Sequence, residues 1–193
     1  MLKIAVTGAS GFIGKHFIKS VLNLGWKVKA LTRSDNLCEA HNLEIIKGSL
    51  ENPPDVNFFK DVDVFVHLAA LGVQSRDRIW DQVIQVNVQH SLKWIQEAQR
   101  CGVQHAVVAG SALEYQGFGT LPDNPHTGEF LLCGERTSLE CSEPYGASKA
   151  AGGLLMRAWS RNNEFPLWYL RLATCYGPNN KPCLLYTSDA ADE

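Results

Sequence analysis

The feature that most limits how this chain can fold is the run Thr7-Gly8-Ala9-Ser10-Gly11-Phe12-Ile13-Gly14, set between the apolar segment 4–6 and a helical pattern. Three glycines at three-residue spacing suit a main chain that must turn sharply and let another group come close. Gly8 permits the tight turn, Gly11 lets backbone approach a pyrophosphate, and Gly14 allows the helix to pack closely on the strand. In the helix that follows, Ile13, Phe17, Val21 and Leu24 recur at helical spacing before a stop at Gly25. Its unpaired N–H groups and positive dipole end point back at the loop, which makes a cradle for phosphate.

The rest of the chain repeats this alternation. Short β-rich apolar runs at 4–6, 26–31, 43–46, 62–68, 105–109 and 167–172 are separated by helical patterns, with further helices predicted over 84–98 and 145–161. Alternation of this kind predicts an α/β fold built on a doubly wound parallel sheet, with ligands at the carboxyl ends of the strands. Residues 116–142 read as one long irregular excursion rich in Gly, Pro, Asn and Thr, and a loop of that length points to function or disorder. Residues 183–193 continue no pattern before them and are expected to be a non-native tail, leaving a single dinucleotide-binding domain over 1–182.

Composition excludes several partners. The 193 residues carry a formal net charge of -2 with no basic block, which gives nucleic acid and anionic membranes no electrostatic footing. No apolar stretch approaches the roughly 18 to 20 residues of a membrane span. The six cysteines form no CxxC pair, so reduced thiols in a cytoplasmic enzyme are expected, and no metal site.

Two places carry candidate chemistry beyond the glycine loop. The second apolar run ends at Thr32-Arg33, where an acidic residue would accept from both ribose hydroxyls of NAD; a guanidinium instead suits a 2′-phosphate, so NADP is favoured over NAD. Tyr145 and Lys149 stand at i, i+4 on a predicted helix and so share one face. A phenol is a poor acid–base group at neutral pH, and a nearby ammonium is expected to bring its pKa down into the working range. Ser111, at the carboxyl end of the fifth apolar run, can hydrogen-bond a substrate oxygen that gains or loses a proton.

The motifs TGASGFIG (7–14), DVDVFVHLAA (61–70), VNV (86–88), SALEYQG (111–117), PYGASKAAG (144–152) and LRLATCYGP (170–178) occur in one order over residues 1–180. In this the chain resembles the extended short-chain dehydrogenase/reductases of the NAD-dependent epimerase/dehydratase family. The resemblance implies a Rossmann-type domain. Gly8, Gly11 and Gly14 would cradle the pyrophosphate with N–H groups from Phe12 and Ile13. Ser49 and Leu50 would lie beside adenine, Leu68, Ala69 and Ala70 along the ribose and nicotinamide. Ser111, Tyr145 and Lys149 would form the catalytic triad, the last two also touching the cofactor. Asn87 would be more structural than catalytic, and Tyr176, Gly177 and Pro178 would open the segment toward the substrate.

The chain departs from the family pattern at Thr32, at Gly153 (where many members carry Glu) and in length. Members run to half again this length or more, which implies that the substrate lobe is largely missing here. The 4,6-dehydratases share an Asp-Glu pair where this chain has Ala112 and Leu113, with Glu114 one place later. Elimination needs an acid and a base, so the resemblance favours hydride transfer at a carbinol or carbonyl, by a 4-ketoreductase or 4-epimerase. Its substrate would be a nucleotide sugar, and the protein a possible homodimer. The competing readings are a non-catalytic NAD(P)-binding regulator on the same fold and an inactive fragment of the enzyme.

Overall fold

The computed structural model describes residues 1–34, 36–52, 56–74, 77–115 and 134–178. Six strands form one sheet: β1 (Lys3–Thr7), β2 (Lys27–Thr32), β3 (Leu43–Lys47), β4 (Val64–His67), β5 (His105–Ser111) and β6 (Leu167–Leu172). Their spatial order is β3-β2-β1-β4-β5-β6, and every neighbouring pair is parallel. This is the Rossmann order, and the chain direction across the sheet reverses between β1 and β4, where a crevice opens at the carboxyl ends. The register sets Thr7 opposite His67 and Ser111 opposite Leu172, so the ends of β1, β4 and β5 come out on one rim.

Helices cover both faces. Helix α1 (Phe12–Asn23) buries Ile18 and Val21 against Ile4, Val6, Val28 and Val66. The opposite face is larger and more aromatic. There α2 (Val56–Phe59), α4 (Ser91–Arg100) and α5 (Pro144–Asn162) bring Phe58, Phe59, Trp94, Ile95 and Met156 onto Ala5, Phe65, Ala106 and Val108. Helix α2 was not visible in the sequence because four residues are too few to show a period. Edge-to-face contacts of Phe58 and Phe59 with Trp94, at 5.4 and 6.0 Å, hold it. On β6, Trp168 and Leu170 point to the α1 side and remain about half exposed.

Each of α1, α4 and α5 stops in the same way. The N–H groups of Gly25 and Trp26 return to the carbonyls of Leu22 and Val21, those of Gly102 and Val103 to Gln99 and Ala98, and those of Glu164 and Phe165 to Arg161 and Ser160. The left-handed residue is glycine in the first two and Glu164, at φ 51°, in the third. This paired bonding satisfies the last carbonyls, and the apolar residue behind it leads toward the next strand.

The helix predicted over 84–98 is longer and irregular. It begins as α3 (Trp80–Ile84), widens into π-helical turns over Gln85–His90, and continues as α4. Within these turns the Asn87 carbonyl faces α5, where a Cβ on Gly152 would meet it at 2.7 Å. Of the predicted excursion 116–142, residues 116–133 lie outside the described residues, as does the predicted tail 183–193.

Candidate active site

The glycine loop builds the first rim of the crevice from main chain alone. Gly8 has φ 71°, and a Cβ there would stand 2.7 Å from the main chain of Leu68 and Ala69. A Cβ on Gly14 would stand 2.2 Å from the Gly8 carbonyl, and one on Gly11 3.2 Å from it. No side chain is tolerated at Gly8 or Gly14. Gly11 is the N-cap of α1, with no side-chain cap and no acid in the first turn, so the N–H groups opening the helix at Phe12 and Ile13 have no carboxylate competing for them. These residues fit a dinucleotide pyrophosphate. Leu68, Ala69 and Ala70 follow β4 on the other side of the crevice and are half-buried.

A buried hydrogen-bond chain ties the two sides together. The Thr7 hydroxyl lies 2.7 Å from His67 Nδ1, His67 Nε2 lies 2.9 Å from the Ser91 hydroxyl, and Ser91 donates to the Val86 carbonyl at 2.9 Å. Because the Ser91 hydrogen is committed to Val86, Nε2 must be the donor and Nδ1 the acceptor of Thr7. Burial, with the Lys149 charge adding to it, pushes the His67 imidazole down to about 3, so it is neutral.

At the end of β2, Thr32 is buried and its hydroxyl is used within its own turn. It accepts from the Ser34 N–H and donates to the Ser34 carbonyl, both at 3.1 Å. Arg33 beside it is exposed. Ser49 and Leu50 follow β3, half-buried, and the Leu50 carbonyl accepts from the Trp94 indole at 3.0 Å.

The second rim is made of buried side chains. Ser111 ends β5, and Tyr145, Ser148 and Lys149 lie on the buried face of α5, which Pro144 opens at a position needing no N–H donor. Tyr145 is 8% exposed and Lys149 4%. The Ser111 hydroxyl accepts from the Leu113 N–H at 3.2 Å, and its influence on the Tyr145 phenol, which it pulls down in pKa, puts the first two members of the predicted triad beside each other. The expected effect of Lys149 on the phenol requires correction. Tyr145 is pushed above the ordinary phenol value, first by burial; Glu114 acts in the same direction, and the Ser111 hydrogen bond and Arg78 oppose it. Desolvation of a phenolate inside this wall outweighs the cation that opposes it, Arg78. Burial also lowers the Lys149 amine to about 8, with Glu114 opposing.

Asn87 holds the rim from behind: its amide accepts from the Leu71 N–H and donates to the Leu71 carbonyl, both at 2.8 Å, and donates to Ser148 at 2.9 Å. The segment after β6 leads back toward α1. Tyr176 is exposed, Gly177 faces the Phe12 ring, and the Pro178 carbonyl lies 3.1 Å from His16 Nε2. Sequence reasoning missed His67, Arg78 and the acid–base pair Glu114–Arg171. For the pair there was one signal: a Glu and an Arg inside otherwise apolar stretches that end on the same rim.

Comparison with known proteins decides the family. The model of the NAD dependent epimerase/dehydratase family matches residues 4–188. The chain belongs to this family. Among curated relatives, it is 28% identical to a protein named as an uncharacterized UDP-glucose epimerase, YtcB, of Bacillus subtilis (strain 168), covering 96% of this chain and 60% of that one. It is 30% identical to the UDP-glucose 4-epimerase of Neisseria meningitidis serogroup B, covering 92% of this chain and 53% of that one. Among solved structures, MoeE5 in complex with UDP-glucose and NAD superposes with a TM-score of 0.78 at 28% identity, over 95% of this chain and 58% of that one. The chain thus spans little more than half the length of these epimerase/dehydratase-family relatives.

Proposed function

We propose that the chain is the cofactor-binding and catalytic part of an NAD(P)-dependent enzyme that transfers hydride at a carbinol or carbonyl of a nucleotide sugar, as a 4-ketoreductase or 4-epimerase. The observation that carries this reading is the burial of Ser111 at the end of β5 and of Tyr145 and Lys149 on the inward face of α5, across the crevice from a main-chain cradle. A bound nicotinamide supplies or accepts the hydride. Tyr145, held protonated by its burial, gives its proton to the substrate oxygen as the carbonyl is reduced and takes it back in the reverse direction. Ser111 hydrogen-bonds the same oxygen, and Lys149 is the cation that stabilises the phenolate left behind. Nucleotide-sugar relatives, among them the UDP-glucose 4-epimerase, support the substrate class.

Elimination of water is the less favoured chemistry. Ala112 and Leu113 carry no acid, and the Glu114 carboxylate is turned away into a bond with Arg171 at 2.7 Å. For the cofactor we infer NADP over NAD from the exposed Arg33 and the absence of an acid at Thr32, although the solved neighbours include NAD complexes. Trp80 and Ile84 on α3 and Leu154 and Leu155 on α5 are large exposed apolar side chains on helices packed together, and we infer that a second copy covers them. Turnover of a UDP-sugar by the enzyme extended to its relatives' length tests the main reading. Tyr145→Phe should retain dinucleotide binding and lose hydride transfer; unchanged turnover overturns it.

A further inference from the structure

Behind the proposed triad lies a charged network that the hydride-transfer reading does not use. Glu114 is fully buried on the turn just after Ser111. Its Oε1 accepts from the Ser111 N–H at 2.9 Å and faces the Tyr169 hydroxyl at 2.9 Å, while its Oε2 accepts from Arg171 Nε at 2.7 Å. The Tyr169 hydroxyl also stands 2.7 Å from the Lys149 carbonyl. Arg171 donates from Nη1 to the Tyr115 hydroxyl at 2.7 Å, and its guanidinium lies 5.0 Å from the centre of that ring.

Room for this network is made by missing side chains. A Cβ on Gly110 would stand 2.4 Å from the Tyr169 ring and 2.8 Å from Glu114 Oε1, and one on Gly153 2.5 Å from the same ring. Gly153, one of the departures from the family pattern, is where Tyr169 enters. Burying an ion pair costs several kcal/mol per ion before attraction repays it, and apolar side chains of the same shape often serve stability as well or better. The arrangement therefore points to a use other than stability.

We propose that Glu114 is the positioning residue of the Ser111–Tyr145–Lys149 site: one buried carboxylate holds Ser111 by its main chain, reaches the Lys149 turn of α5 through Tyr169, and puts a negative charge behind that turn. The inference rests on reading those three residues as the active site. The groups around Lys149 leave Glu114 alone in this task. His67 from β4 is neutral, and Tyr145 on α5 and Tyr169 on β6 are both pushed above the ordinary phenol value, first by burial. Arg171 on β6 is paired with Glu114, and the π-helical segment packed on α5 contributes the uncharged amide of Asn87 through Ser148. Of the charges on the described residues, Glu114 is the one that raises the Lys149 amine against its burial.

The test follows the Lys149 Cε–Hε signal of the 13C-labelled chain against pH, assigned by its loss in Lys149→Met. In the parent the midpoint is expected near 8. In Glu114→Gln, with the fold checked by circular dichroism, it should fall by about one pH unit, the usual effect of losing one close opposite charge. A folded Glu114→Gln whose Lys149 titrates as in the parent overturns the proposal. Should Glu114→Gln not fold, Arg171→Met keeps the carboxylate and removes its compensating charge, so the midpoint should rise; an unchanged or lower midpoint overturns the proposal as well. Neither cofactor nor substrate is present in this measurement, so a failure of the chain to bind dinucleotide would count against the proposed function and leave this result readable.

Discussion

The two rims of the crevice solve different problems with different materials. The β1–α1 rim is main chain and missing side chains: Gly8, Gly11 and Gly14 clear the way for N–H groups at the head of α1. The β5–α5 rim is the reverse, crowded with buried polar and charged side chains, Ser111, Glu114, Ser148 and Lys149. On the proposed reading, a pyrophosphate keeps its charge through the reaction, so fixed dipoles suffice to hold it. A proton that must move needs titratable groups. Burying those demands partners, which is why the charged network lies behind the second rim, whereas the chain of Thr7, His67 and Ser91 behind the first is neutral.

The largest expected effect tests whether the second rim moves the proton. Tyr145→Phe should lower hydride transfer by about a thousandfold, near 4 kcal/mol, with dinucleotide binding retained in a fluorescence titration. Equal loss of binding and turnover would mean that the rims are not separable. Next, Gly14→Ala should destabilise the fold by about 3 kcal/mol in a denaturant melt, because its Cβ would stand 2.2 Å from the rigid Gly8 carbonyl. An unaffected melt would show the first rim to be softer than its geometry.

The buried chain that ties β1 to β4 is sensitive to pH. The His67 imidazole, at about 3 when folded and near 6.5 when unfolded, leaves the unfolded chain holding more protons between those values, so stability must fall as pH falls through that window. Between pH 7 and pH 5 the loss should be about 2 kcal/mol, and denaturant melts of His67→Gln at the two pH values should lack that part of it. The smallest effect sharpens the cofactor side of the comparison. Thr32→Asp should shift the ratio of NADPH to NADH dissociation constants toward NADH by about tenfold, or 1.4 kcal/mol. An unmoved ratio would remove the argument from Arg33.

The first rim was legible in the chain because its requirement is local: a glycine at a given spacing between a strand and a helix has few other uses. Tyr145 and Lys149 were legible for the same reason, being one helical turn apart. Glu114 was read only as an acid one place out of register, because its partners Tyr169 and Arg171 lie more than fifty residues away on β6. Glu164 gave no stop signal, since a non-glycine residue at a helix end shows its left-handed backbone only in coordinates. The π-helical turns over Gln85–His90 were invisible too: apolar spacing there reads as ordinary helix, and their contact with α5, the Asn87 carbonyl against Gly152, joins residues 65 apart in the chain.

By itself, then, the order of residues determined a parallel α/β sheet, the tight glycine turn before α1 and the pairing of a phenol with an amine on one helical face. These follow from interactions within a few residues of one another. Tertiary structure alone decided the acidity of those groups. The water removed from Tyr145 and Lys149, and the carboxylate placed behind them, come from strands that meet only after the sheet has formed. A pKa reports that assembled surrounding and not the residue type.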